Sequence, residues 1–117
     1  METKFSFEVF DKYVKITISE GDPYNDIAEI YASMKKVLAE TMHTRVLVDA
    51  FDMPDLRDVE KLHIGELGAD MFGDKYKFAM LRKPKHADKF MENVAVNRGG
   101  RLLIVSDEPE ALKWLLS

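Results

Sequence analysis

Apolar and polar residues alternate at the start of the chain. Phe5, Phe7 and Val9 recur at every second position, and Val14, Ile16 and Ile18 do so again. Period two puts each set on one face of a strand. Asp11-Lys12 between the runs predicts a tight hairpin, although the favoured Asp-Gly pair is absent. The period then lengthens. Asp22-Pro23 reads as a helix start, with Asp22 as N-cap and Pro23 at the first helical position. Ile27, Tyr31, Met34 and Leu38 follow at helical spacing as far as Thr41. Residues 44–50 contain Val46-Leu47-Val48, a continuous apolar run of the kind that strands buried on both faces carry. A second helix is predicted over 55–72, capped by Asp55, with Leu56, Val59, His63, Leu67 and Met71 turned inward. Gly65 and Gly68 each weaken it by about 1 kcal/mol relative to alanine; three positions apart, they share a face that lets the helix lie close to the sheet.

Residues 76–81 form the third internal strand. Pro84 opens a helix bearing Ala87, Phe90, Met91, Val94 and Ala95, and Gly99-Gly100 ends it. Leu102 to Val105 is the last strand. Asp107 and Glu110 have capping-box spacing ahead of Ala111, Leu112, Leu115 and Leu116. The order β-β-α-β-α-β-α-β-α predicts an α/β fold. Its mixed sheet has an antiparallel N-terminal hairpin at one edge, then parallel strands joined by right-handed crossovers, with helices covering it. The 117 residues suit one domain spanning 1–117, and no linker or repeat interrupts them.

Composition narrows the function classes. With 46% apolar and 32% charged residues the chain is ordinary globular protein. It has no cysteine, which removes disulfides, thiolate metal sites and cysteine nucleophiles, and fits a reducing, cytoplasmic compartment. No signal-peptide pattern opens it, and no apolar run approaches the roughly 20 residues that span a bilayer. The net charge of −4 attracts neither nucleic acid nor an acidic membrane. Charge is uneven, however. Residues 75–101 hold eight of the 17 Lys and Arg but only Asp88 and Glu92 among the acids. Arg98 and Arg101 fall at the start of the last strand, opposite Arg82 and Lys83, so the bases do not make the single basic face that nucleic acid needs. Arg98 is placed at the helix C-terminus or the Gly99-Gly100 turn.

Candidate chemistry gathers at the carboxyl ends of the strands, where open α/β sheets bind ligands. Asp49 ends a buried strand, and its preferred role is to accept loop N–H groups. A phospho-accepting receiver would place its aspartate there, but the hairpin topology and the lack of a lysine near Ser106 argue against one. Arg82, Lys83, Lys85 and His86 crowd a predicted helix N-terminus, a combination suited to a phosphate, a carboxylate or an anionic lipid head group. Phe51, Asp52 and Met53 lie in the neighbouring loop. Two arrangements are open there. Phe51 and Met53 are exposed to an acyl chain or a protein partner, or they tuck into the core while Asp49, Asp52 and Asp55 pair with the bases. His43, His63 and His86 have no metal-ligand spacing, no Ser-His-Asp set is present, and no cofactor is implied.

At this level the chain resembles the SpoIIAA-like (STAS/Sec14-like) small bacterial domains. The resemblance rests on Lys12-Tyr13-Val14 in the hairpin, Arg45-Val46-Leu47-Val48-Asp49-Ala50, Val96-Asn97-Arg98-Gly99, and the final Asp107-Glu108-Pro109-Glu110-Ala111-Leu112-Lys113-Trp114-Leu115. It covers essentially the whole chain. It implies a non-enzymatic regulatory or protein-interaction domain, or a small-molecule or lipid carrier with an anion-binding rim, and it allows a homodimer. Relatives that antagonise anti-sigma factors carry a phosphorylatable Ser after the third strand. The matching residues 51–58 contain no Ser or Thr, so that switch is not available here.

Overall fold

The computed structural model describes residues 3–117. Strands β1 (Lys4–Val9) and β2 (Val14–Glu20) form the hairpin, and β3 (Arg45–Asp49), β4 (Lys77–Leu81) and β5 (Leu102–Val105) follow. They make one five-stranded sheet in the order β1-β2-β3-β4-β5, antiparallel at β1–β2 and parallel thereafter. Helices α1 (Ile27–Thr41), α2 (Asp58–Phe72) and α3 (Phe90–Asn97) are the crossovers, and α4 (Glu108–Leu115) closes the chain. The α/β fold expected from the alternation is the one observed.

The strand order dictates the layers. Right-handed crossovers that always step the same way put all three crossover helices on one face. Val14, Ile16, Val46, Val48, Met80 and Ile104 therefore share a core with Ile30 and Met34 of α1, Ile64 and Phe72 of α2, and Met91 of α3. Alternate residues Leu47, Ala79, Leu81 and Val105 face the other way, onto Ala111 and Leu115 of α4. Period two thus explains the unbroken Val46-Leu47-Val48 run: each face of β3 has its own core.

Helix α4 is fastened at both ends. The Asp107 carboxylate accepts the Glu110 N–H at 3.0 Å, as the capping spacing predicts. At the far end the buried Lys77 ammonium donates to the Trp114 carbonyl (2.6 Å) and the Ser117 hydroxyl (3.0 Å), and lies 4.4 Å from the Trp114 ring. A cation at a helix C-terminus complements the dipole. Burial, then the nearby Arg101 and Arg45, hold the Lys77 amine below its ordinary pKa.

Several local expectations shift. Helix α1 begins at Ile27, not Pro23: Asp22 caps a separate preliminary turn, its carbonyl accepting the Asp26 N–H at 3.2 Å. Helix α2 begins at Asp58, where the Glu60 carboxylate accepts the Arg57 N–H at 2.9 Å; Asp55 is not its cap. The inner face of α2 is also rotated. Ile64, Gly65, Ala69 and Phe72 point inward, whereas Val59 is 59% exposed and His63 lies outside against Tyr24. The two glycines face helices and not the sheet. A Cβ on Gly65 would stand 3.1 Å from Val94 of α3, and one on Gly68 would stand 2.8 Å from the Tyr31 hydroxyl of α1. Pro84–His86 is a single 3₁₀ turn and α3 starts only at Phe90, so no α-helix N-terminus stands beside Arg82. Gly99, at φ +91°, ends α3 as expected. Arg98 stands at the C-terminus of α3, one of its two expected places, and its side chain reaches back to α2 to pair with Glu66 and Asp70 (3.0 and 2.9 Å).

Candidate functional site

The loops after β3 and β4 meet at one rim, joined by Arg82. Arg82 directly follows β4 and is 3% exposed. Its Nη1 donates to the carbonyls of Ala50 (2.7 Å) and Met53 (2.8 Å), and its Nη2 to that of Pro54 (3.1 Å). Burial lowers its pKa, with Asp55 and Asp88 opposing, but a guanidinium keeps its proton in proteins. Its fork is occupied in shaping the 50–54 loop, so Arg82 is a structural clamp.

The other expected rim residues separate accordingly. Met53 is buried and belongs to the core, while Phe51, at 36% exposure, and Asp52 remain outside. His86 pairs with Asp55, Nδ1 to Oδ1 at 3.2 Å. Lys83 is half-buried, Lys85 is exposed, and among the described residues neither has an ion pair. Asp49 faces the α4 side. It accepts the Phe51 N–H at 3.2 Å, the loop role expected of it, and lies 3.8 Å from Lys15, which also reaches Glu108 at 3.5 Å. It does not join the bases of 82–86.

Asp88 ties the next loop to α2. It accepts from Lys61 and from the Phe90 N–H at 3.0 Å. The Lys61 hydrogen bond holds its carboxyl below the ordinary value, helped by Phe90 and Arg82 against the cost of burial. A lowered carboxyl pKa stabilises the fold above the unfolded-state value, and that contribution disappears as pH falls through the folded-state value. The melting temperature of Asp88→Asn is therefore expected to lie below the parent's at neutral pH and to converge on it in acid. A gap that persists once both proteins are protonated would contradict this.

One recess in the molecule lies between the sheet and the three-helix layer. It is an apolar cavity of about 90 Å³. Met34 and Tyr31 of α1, Ile64 and Phe72 of α2, and Met91 of α3 form one wall; Val48 and Met80 form the sheet side. Met53 and Leu56 close it beneath the 50–57 loop, and Gly65 and Gly68 line it where α2 approaches its neighbours. The Tyr31 hydroxyl donates to the Ile64 carbonyl at 2.9 Å, and burial pushes its pKa up. Among the described residues the one charged residue in the wall is Arg101, which is exposed. Sequence periodicity marked most of these side chains as core, but it carries no signal for a gap among them. In the sequence Arg101 is visible only as one base of a scattered basic segment.

No helix among the described residues is long and apolar enough to cross a membrane. The chain matches no protein-family model and no curated protein.

Proposed function

We propose that this chain is a non-catalytic regulatory domain of the STAS/SpoIIAA-like type that takes a small apolar ligand between its sheet and its helix layer. The cavity carries this reading. It is an opening of about 90 Å³ lined almost wholly by apolar side chains, so water has few hydrogen-bond partners there. Apolar cavities of ~150 Å³ stay dry and take up benzene or xenon. Here, where the walls are aliphatic, aromatic and methionine side chains, the fitting chemistry is a small ring or a short aliphatic chain. Arg101 at the wall suits an acidic end on such a ligand.

The test is thermal denaturation in the presence of xenon, benzene and a series of short straight-chain carboxylic acids with their matching alcohols. A member that binds should stabilise by about 2.7 kcal/mol at 100-fold excess over its Kd, a rise of several degrees. Acids should outperform alcohols, and Arg101→Ala should remove that difference. If no member raises the melting temperature, the cavity reading fails. The alternative of a protein-interaction surface, supported by the exposed Val59 and Leu62 on the outer face of α2, then stands ahead of it.

A further inference from the structure

The two edges of the sheet are built differently. Beyond β5, the Glu92 carboxylate accepts the Ile104 N–H at 2.7 Å and the Lys89 ammonium donates to the Ile104 carbonyl at 2.9 Å. The two side chains also pair at 3.0 Å. At Ile104 they occupy the positions that the peptide groups of a sixth strand would take, which blocks that edge there. The β1 edge has no counterpart: among the described residues, no side chain bonds the backbone of Lys4–Val9. An open edge of six residues is a template for strand addition.

The sequence of β1 specifies what is added. Written Lys4-Phe5-Ser6-Phe7-Glu8, it is a charge palindrome about Ser6. Antiparallel pairing of two copies on a two-fold axis through Ser6 sets each Lys4 opposite Glu8 of the second copy, and each Phe5 opposite Phe7. Directly opposed residues share a face, so the charged residues and the aromatics segregate correctly. Slipping the register by one residue would put the phenylalanines opposite polar side chains. Slipping it by two would lose the ion pairs. Glu8 is available for this role. Its cross-strand neighbour within the hairpin is Lys15, which turns instead to Asp49 and Glu108. Lys4 is held only by Glu20, and its side chain is 75% exposed. Phe5 and Phe7, packed edge to face at 6.1 Å, are only half-buried and gain cover on their open flank.

We infer that the β1 edge binds a second copy of this chain, antiparallel and centred on Ser6, joining two five-stranded sheets into one of ten strands. The absence of cysteine makes the geometry directly testable. Across the axis, position 6 meets itself at a Cα separation of about 4.5–5.5 Å, within disulfide range. Position 8 lies four residues from its own equivalent, about 13 Å away and out of range. Under mild oxidation of the full chain, Ser6→Cys should form a covalent dimer and Glu8→Cys should not. Sedimentation equilibrium of the parent should give twice 13.5 kDa, and Glu8→Lys, which opposes two lysine pairs, should raise the dimer dissociation constant at least tenfold while its circular dichroism stays unchanged. A parent that remains monomeric into the millimolar range overturns the inference. So does cross-linking of Glu8→Cys as fast as Ser6→Cys, or a Glu8→Lys protein that dimerises as tightly as the parent.

Discussion

Arg82→Met should cost about 2–4 kcal/mol of folding free energy, because it leaves the Met53 carbonyl and the part-buried Pro54 carbonyl without their donor. The methionine restores the apolar stem but none of the donors. The Met53 and Pro54 carbonyls would lose the partner that organises them, while Ala50 retains a 3.2 Å bond from the Met53 N–H. A buried carbonyl left unpaired costs about 1–3 kcal/mol. The loop would also release Met53 and Leu56 from the cavity floor, so ligand binding should weaken together with stability. Arg82→Lys should recover only part of the loss, because a single ammonium cannot span three carbonyls that a planar fork reaches at once. Urea denaturation measures both variants. A shift in midpoint with little change in slope is expected, and a loss below about 1 kcal/mol would refute the clamp.

Leu115→Ala is the second large effect, at about 2–5 kcal/mol for a buried leucine. Leu115 is fully buried, and α4 is the principal cover over the second face of β3, β4 and β5. With eight residues, α4 is too short to hold a helix by itself. Without Leu115 its attachment falls to Ala111, the partly buried Leu112 and Trp114, the Asp107 cap and the Lys77 contacts at Trp114 and Ser117. Hydrogen exchange should show the amides of α4 losing protection first, with those of β2 and β3 beneath α1–α3 retained. Uniform loss across the whole sheet would instead make α4 part of one cooperative unit.

Glu92 and Lys89 illustrate how function-bearing detail hides in plain composition. In sequence they are an ordinary charge pair three apart on a helix. In the fold they lie beside the last strand and satisfy the outward peptide groups of Ile104, and this leaves the opposite edge the more open one. The same holds for Arg82. The cluster of Arg82, Lys83, Lys85 and His86 looks like an anion site because charge and proximity in sequence are all that is visible. The curl of the 50–54 loop decides that three carbonyls converge on the guanidinium. The phase of α2 is only partly legible for a related reason. Leu67 and Met71 pack against the core as their spacing predicts, but Val59 and His63 do not, because a helix wedged between two others turns its smallest residues, Gly65, Gly68 and Ala69, toward its neighbours and the core.

What the sequence determined by itself is the order and type of the elements, the hairpin and the two-faced burial of β3. Each follows from a local period of two or nearly four residues that any packing must respect. The charge palindrome of β1 is likewise written in the sequence, although its meaning depends on the edge being open. Tertiary structure alone decided which cation is buried, which edge is blocked at Ile104, how α2 is rotated and where the core leaves a cavity. These depend on distances between residues remote in the chain, and hydrophobic periodicity constrains direction from an axis but not the spacing between axes.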